Sequence, residues 1–488
     1  MDVEQFRKAG YAAIDRICDY YINLDSKPVS SSVQPGYLAP LLPKTAPEEG
    51  EDFQTIAADY ESVIVPGLTH WQHPSFFAYF PTAATFEGIL GDLYANAAPN
   101  PGFNWSCSPA STELEAVVMD WSAQLLGLSS VFHNAGGIGG GALQTTASDS
   151  ALVAIVAARE RLRALTEVPL EELLVYVTTQ THSLGLKAGR VLGLQVRALE
   201  VRAEDRYALS GTVLRQALEE DKAAGRRPFI LIATVGSTSS GAVDNLPEIT
   251  AVLQDHPEVW LHVDAAWAGL ALCCPETREA LFLDTINASV DSFCANFHKW
   301  GLVNFDASTL WVRDRKSLNE ALDITPPFLR TAHGDAGTVV DYRNWHLGLG
   351  RRFRSLKFWF VLRGFGVEGF RKHIRQAITL NTTFVDLLAD MEIFELVTPP
   401  SLALTVFRVV PPSHAQADLA ALNALNAAFF ARLAVRPDLA ITQTVLNGVF
   451  CVRFAVGAAR TTQAHVRAAF DVLVEEAHAA IALWEPTA

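Results

Sequence analysis

The chain has no run of about 18 uncharged apolar residues, the minimum for a helix that crosses a bilayer. Its amino terminus, Met1-Asp2-Val3-Glu4, lacks a basic region followed by an apolar stretch, so a soluble, cytoplasmic protein is expected. Cysteine is scarce: six residues, at 18, 107, 273, 274, 294 and 451, form no Cys-x-x-Cys pair and no close even spacing. That pattern argues against a disulfide framework and against a zinc site, and no metal is expected. Positive charge is in deficit as well. A formal net charge of -15, with acids spread along the sequence, makes nucleic acid or an anionic membrane surface a poor main partner. Internal repeats and low-complexity tracts are also missing. A small-molecule ligand fits these absences better.

Apolar residues, by contrast, are plentiful, at 50% of 488 positions, which predicts two or three domains. They recur at helical spacing from Val3 to Tyr21 and from Phe53 to Val63, and the Pro/Ser-rich residues 27 to 50 between them read as a surface connection. In the central region helical periodicity alternates with short apolar runs at Leu173–Val177, Phe229–Val235, Val259–Val263, Phe293–Phe297 and Thr309–Val312. The alternation predicts an α/β layer on a mostly parallel sheet, with ligands at its strand ends. Beyond about residue 355, a long helix, two runs (Leu402–Val410 and Phe450–Val456) and a helix from Thr462 to Leu483 predict a smaller α+β domain.

Lys299 lies in Asn296-Phe297-His298-Lys299-Trp300, and Asp264 closes the run Val259–Val263, so an amine and a carboxylate stand at the ends of two buried strands. Pyridoxal phosphate needs such a pair, a lysine for its Schiff base and an acid for its pyridinium nitrogen. Burial lowers a lysine pKa, as a Schiff-base amine requires. Each residue also has a plainer reading, the lysine as a snorkelling side chain and the acid as a helix cap or ion-pair partner. After Asp264, Ala265 and Ala266 are small enough to let a flat ring approach the backbone. Thr145–Asp149, between the glycine-rich Gly136–Gly141 and the helical run Ala151–Leu165, reads as a phosphate cradle or as simple N-capping by Ser148. Gly137–Ala142 mimics a dinucleotide fingerprint, but no strand is expected before it and no acid follows at the right distance, so it is set aside. His182 follows the first central run, where an imidazole stacks on an aromatic cofactor or serves the structure; His298 is open to the same two readings. The aromatic segment Trp71 to Trp105, which holds Phe80, Thr82 and Phe103, is core or the lining of a pocket for an aromatic side chain.

These motifs, together with Thr181-His182-Ser183, His262–Ala266, Ser108–Glu115 and Gly350–Lys357, resemble the PLP-dependent aromatic L-amino acid decarboxylases of the group II type, in the family's order from about residue 2 to 480. The resemblance implies PLP-dependent transferase fold type I, the aspartate aminotransferase-like α/β fold. A helical segment (1–80) would pack on the partner of an obligate homodimer, ahead of a large PLP-binding domain (81–355) and a small α+β domain (356–488). It further implies that Lys299 carries the cofactor, Asp264 pairs with the pyridinium, His182 stacks on the ring and Thr238 lies near the phenolic oxygen. Ala147, Ser148 and Asn296 would hold the phosphate, with Ala266 and His298 in the cofactor set. Trp71, Phe80, Thr82 and Gly350 would border the substrate, and Phe103 would reach the neighbouring subunit's site.

One departure from the family matters more than the matches. Where relatives carry a loop tyrosine in a Pro-x-Tyr-Leu pattern, this chain reads Pro326-Pro327-Phe328-Leu329. In the family that tyrosine helps return a proton to Cα after CO2 leaves, and a positioned acid contributes about 10²–10⁴-fold in rate. Phe328 has no proton to give, so the resemblance implies that dioxygen diverts the reaction to an aromatic acetaldehyde, ammonia and hydrogen peroxide. The alternative is the plain amine, with His182 or water as proton source. Gly350 would leave room for tryptophan. A histidine or acidic-amino-acid decarboxylase shares the fold, but residues 76 to 86 offer no cation for a second carboxylate. A catalytically silent scaffold would have no need of both Lys299 and Asp264.

Overall fold

The computed structural model describes residues 1–412 and 417–484. Seven strands form the larger sheet: β1 (Gly140–Gln144), β2 (Leu173–Thr178), β3 (Gln195–Leu199), β4 (Arg227–Thr234), β5 (Trp260–Asp264), β6 (Ser292–Asn296) and β7 (Ser308–Val312), in spatial order β1-β7-β6-β5-β4-β2-β3. Only β7 runs against its neighbours; the other pairings are parallel. Every residue of β1, β2, β5, β6 and β7 is buried, which explains their continuous apolar sequences: helices cover both faces of the sheet. On one face the helix Ala147–Leu165 packs Ala151, Ile155 and Ala158 near Val175, Ile230 and Trp260.

The smaller sheet, β8 (Phe394–Leu396), β9 (Leu404–Val409), β10 (Thr442–Leu446) and β11 (Val449–Ala455), is antiparallel in the order β10-β11-β9-β8. The helices Leu419–Leu433 and Gln463–Ala482 pack in the same unit. The helix Arg354–Ala389 runs between the two sheets, and Gly366 (φ 59°) breaks it. One apolar cluster spans both sheets, with Phe454 stacked on Phe384 at 3.7 Å and on Phe77 at 4.1 Å.

Several sequence expectations need correction. The glycine-rich stretch carries a strand not expected from sequence, because Gly140 and Gly141 open β1. A Cβ on Gly141 would stand 2.4 Å from Met119 Cε and 2.5 Å from Trp311 Cδ1, so glycine is there for close packing. Thr146, not Ser148, caps the helix Ala147–Leu165, through a reciprocal box with Asp149. The strands β3, β8 and β10 have no counterpart in the sequence expectations, because their residues are partly exposed and polar. The second amino-terminal helix stops at Asp59 and continues to Ile64 as a π-turn.

Candidate active site

Five strand ends converge on one edge of the larger sheet and enclose a cavity of about 230 Å³. β5 delivers Asp264 directly. β6 ends at Asn296 and turns into the short helix Phe297–Trp300, which places His298 and Lys299 opposite. β2 leads to His182, β4 ends at Thr234 and continues to Gly236 and Thr238, and β1 leads through Thr146 to Ala147 and Ser148. Lys299, Asp264, His182, Ala147, Ser148, Asn296, Thr238, Ala266 and His298 all line this one space.

Asp264 is buried, and its Oδ1 accepts the Ala266 N–H at 3.0 Å and lies 3.7 Å from Cys294 Sγ. Its Oδ2 has no protein partner among the described residues, so one carboxylate oxygen is left for a ligand. Burial depresses the Lys299 pKa, opposed by the charges of Asp264 and Cys294 and reinforced by Arg453. The amine is thereby shifted towards its neutral, nucleophilic form. Burial likewise holds His298 down at about 3, so its ring is neutral, and Ala307 donates an N–H to Nδ1 at 2.9 Å. An imidazole that accepts at Nδ1 carries its proton on Nε2. His182 is more exposed; desolvation lowers its pKa, opposed by the Asp264 charge and reinforced by that of Lys299.

Three buried polar atoms on the cavity wall, Thr234 Oγ1, Trp267 Nε1 and Asn296 Oδ1, make no hydrogen bond among the described residues. Buried polar groups are nearly always paired, so this wall is built for a polar ligand. At the start of the helix Ala147–Leu165 the cap engages only the later N–H groups, leaving those of Ala147 and Ser148 to meet an anion. Gly236 (φ 81°) permits close approach, since a Cβ there would stand 2.3 Å from that of Ala268. An amine, a carboxylate, an anion cradle and flat access fit pyridoxal phosphate.

The structure does not bring the expected substrate residues into this cavity. Phe80 stacks on Trp267 at 4.8 Å from behind the wall, and Thr82 Oγ1 donates to the His298 carbonyl at 3.1 Å. Trp71 packs instead against Phe76 and Tyr79, at 4.7 and 5.5 Å. Gly350 borders a separate groove of about 500 Å³ with Asp92 and Arg352. Phe328 sits in the turn Pro327–Leu329, 80% exposed and away from the cavity. Phe103 is half-buried; its carbonyl accepts the Arg343 N–H at 3.3 Å, and Arg343 also donates to Thr325 at 3.0 Å. The aromatic stretch and the Phe328 loop are therefore tied to one another.

Leu184, Thr234, Gly236 and Trp267 line the cavity without having been singled out from sequence. The signal for Thr234 and Gly236 was present, since a small polar run directly follows an apolar strand. Arg453, in the middle of β11, was missed too. It is 4% exposed, bonds only Thr442 Oγ1 (3.1 Å) and the Tyr79 carbonyl (3.4 Å), and has no ion pair among the described residues. An arginine interrupting the run Phe450–Val456 was the available clue.

Residues 35–410 match the model of the pyridoxal-dependent decarboxylase conserved domain. The chain is similar to tryptophan decarboxylase 2 of Oryza sativa subsp. japonica, with 42% identity covering 98% of this chain and 95% of the relative. It is equally similar to the phenylacetaldehyde synthase of Arabidopsis thaliana, with 42% identity over 98% and 96%. The crystal structure of Oryza sativa TDC with PLP and tryptamine superposes with a TM-score of 0.94 at 37% identity, covering 98% of this chain and 99% of that one.

Proposed function

The chain belongs to the pyridoxal-dependent decarboxylases, and from that premise we propose that it decarboxylates an aromatic L-amino acid and releases chiefly the aromatic acetaldehyde. The observation that carries the reading is the single cavity in which Lys299, Asp264 and His182 face one another beside a free helix start. Pyridoxal 5'-phosphate, when bound, supplies an aldehyde that links to amines and a cationic ring that takes up the electron pair left on Cα as CO2 departs.

The residues of the cavity support a role for each. Lys299 holds the cofactor through its amine, which burial keeps available in neutral form. Asp264, with Oδ2 unengaged, keeps the ring nitrogen protonated. Among the lining residues, His182 would cover the ring, Thr238 would lie near the phenolic oxygen, and Ala147, Ser148, Asn296 and His298 would receive the phosphate. Arg453, a buried cation without a carboxylate partner among the described residues, is near enough to Lys299 to lower its pKa and would favour a substrate carboxylate there.

Completion of the site falls to a second copy of the chain. Phe86, Leu90, Leu93 and Tyr94 on the helix Phe86–Ala97, with Val117 and Trp121 on Pro109–Leu126, form an exposed apolar face, and Val3, Phe6 and Tyr11 expose another on the amino-terminal helix. Apolar area of that extent marks an association surface. In a homodimer, Phe103 would reach the neighbour's cavity. No helix among the described residues is long and apolar enough to cross a membrane.

Phe328 sets the outcome. It cannot return a proton to Cα, and dioxygen reacts there instead: amino acid, O2 and water give aldehyde, CO2, ammonia and H2O2. The amine-forming reading draws on the likeness to tryptophan decarboxylases. A panel of tryptophan, phenylalanine, tyrosine and dihydroxyphenylalanine, with CO2, amine, ammonia and peroxide quantified, decides between them. Wild type is expected to release peroxide with the CO2, and Phe328→Tyr to cut peroxide about tenfold or more in favour of amine. Wild type making stoichiometric amine without peroxide rejects the aldehyde product.

A further inference from the structure

A compact charged group lies behind His298, outside the cavity. Asp306, 6% exposed, accepts Arg354 Nη2 at 2.8 Å, and its other oxygen is 3.7 Å from Arg352 Nη1. Lys357 is wholly buried and donates to Asp92 Oδ2 and to the Phe305 carbonyl, both at 3.2 Å. Asn304 Oδ1 accepts the Thr85 N–H at 2.9 Å. The turn 304–307 is thus gripped from the helix Arg354–Ala389 on one side and from the start of Phe86–Ala97 on the other.

That turn fixes His298. Ala307 donates its N–H to His298 Nδ1 at 2.9 Å, and its carbonyl accepts the His298 N–H at 3.1 Å. The Phe305 ring meets the imidazole edge-on at 4.9 Å. Position, ring orientation and tautomer of His298 are all set by residues 305–307. A buried ion pair adds little net stability over a well-packed apolar pair, so stability alone gives little reason for so much charge here. Holding a ligand-facing side chain in one geometry is a reason, as supporting partners do for the ligands of metal sites.

We propose that Asp306 and Arg354 are positioning residues that act through His298, holding its imidazole as an Nε2–H donor turned to an anionic oxygen of the bound cofactor. The inference rests on reading the cavity as the pyridoxal phosphate site. Neither residue lines that cavity, so their effect must travel through the turn.

The test compares cofactor dissociation from the holoenzymes of Arg354→Gln, Asp306→Asn, Arg354→Lys, His298→Ala and Arg354→Gln/His298→Ala, with the 31P resonance of the bound phosphate as a second readout. Losing a hydrogen bond to a charged oxygen should weaken retention about tenfold or more. That loss is expected in Arg354→Gln, Asp306→Asn and His298→Ala, with a shifted 31P line and partial recovery in Arg354→Lys. The double variant should be no worse than His298→Ala alone, within about twofold. Should Arg354→Gln fold poorly, Asp306→Asn, alone and with His298→Ala, carries the same comparison. Wild-type retention in the Arg354 and Asp306 variants beside a weakened His298→Ala overturns the positioning role. So does a loss that multiplies in the double variant. Unchanged retention in His298→Ala rejects the placement of His298 at the cofactor, a different failure with its own signature.

Discussion

Replacing Asp264 with asparagine isolates the charge on which the site depends. The shape is conserved: the amide oxygen can still accept the Ala266 N–H that Oδ1 accepts at 3.0 Å, and the fold should tolerate the change. What disappears is the buried negative charge facing Lys299 across the cavity. Removing one partner from a buried charged pair costs about 3–5 kcal/mol. If that is lost mainly where the ring nitrogen must stay cationic, kcat falls about 10²–10⁴-fold at about 1.4 kcal/mol per decade. A second consequence has a definite sign. Asp264 raises the Lys299 pKa against the lowering by burial, so without it that pKa drops further and the acid limb of cofactor capture by the cofactor-free protein moves to lower pH. The assays are steady-state CO2 release by the loaded enzyme and the pH dependence of cofactor uptake by the cofactor-free protein, read by absorbance. A cofactor-loaded Asp264→Asn enzyme that decarboxylates as fast as wild type refutes the pairing. An unmoved pH profile refutes the electrostatic coupling of the two side chains.

Phe454→Ala should lower stability by about 3–5 kcal/mol in denaturant titration, because it removes the stacks on Phe384 and Phe77 at the centre of the shared core; a negligible change shows that the two sheets are cored separately. His262 is buried with Nδ1 2.7 Å from Ser292 Oγ, and burial lowers its pKa from 6.5 to about 3. The unfolded chain therefore binds the proton more tightly: the stability that neutral His262 contributes is complete above about pH 6.5 and is lost as pH falls towards 3. His262→Gln should flatten stability across that window in acid titrations, and an unchanged slope rejects the assignment. Trp121→Glu, in the exposed apolar face, should convert a dimer into monomers in sedimentation measurements; a monomeric wild type removes the basis for trans completion of the site.

The sequence by itself carried the chemistry of the cofactor cavity. Lys299 and Asp264 were legible because each ends or follows an apolar run, and a strand end in a parallel sheet is where ligands bind. Thr238, Ala147 and Asn296 came from motif resemblance, and they line the same cavity. β1 was hidden because Gly140 and Gly141 give no apolar signal; only contact with Trp311 and Met119 explains them. β3 and β10 were hidden because edge strands are partly solvated and lose the apolar pattern.

Tertiary structure decided what no local pattern encodes. Arg453 reaches the neighbourhood of Lys299 only because the smaller sheet packs against the larger, and Trp267 faces the cavity only because Phe80 backs it. Residues such as Trp71, Phe328 and Gly350 sit on loops and segments whose place is set by what packs on them, so their sequence neighbours say little about which cavity they serve. Alternation of apolar and polar residues reports burial along one element, whereas a site assembled from five strand ends depends on the order of those strands, which is fixed by packing between segments far apart in the chain.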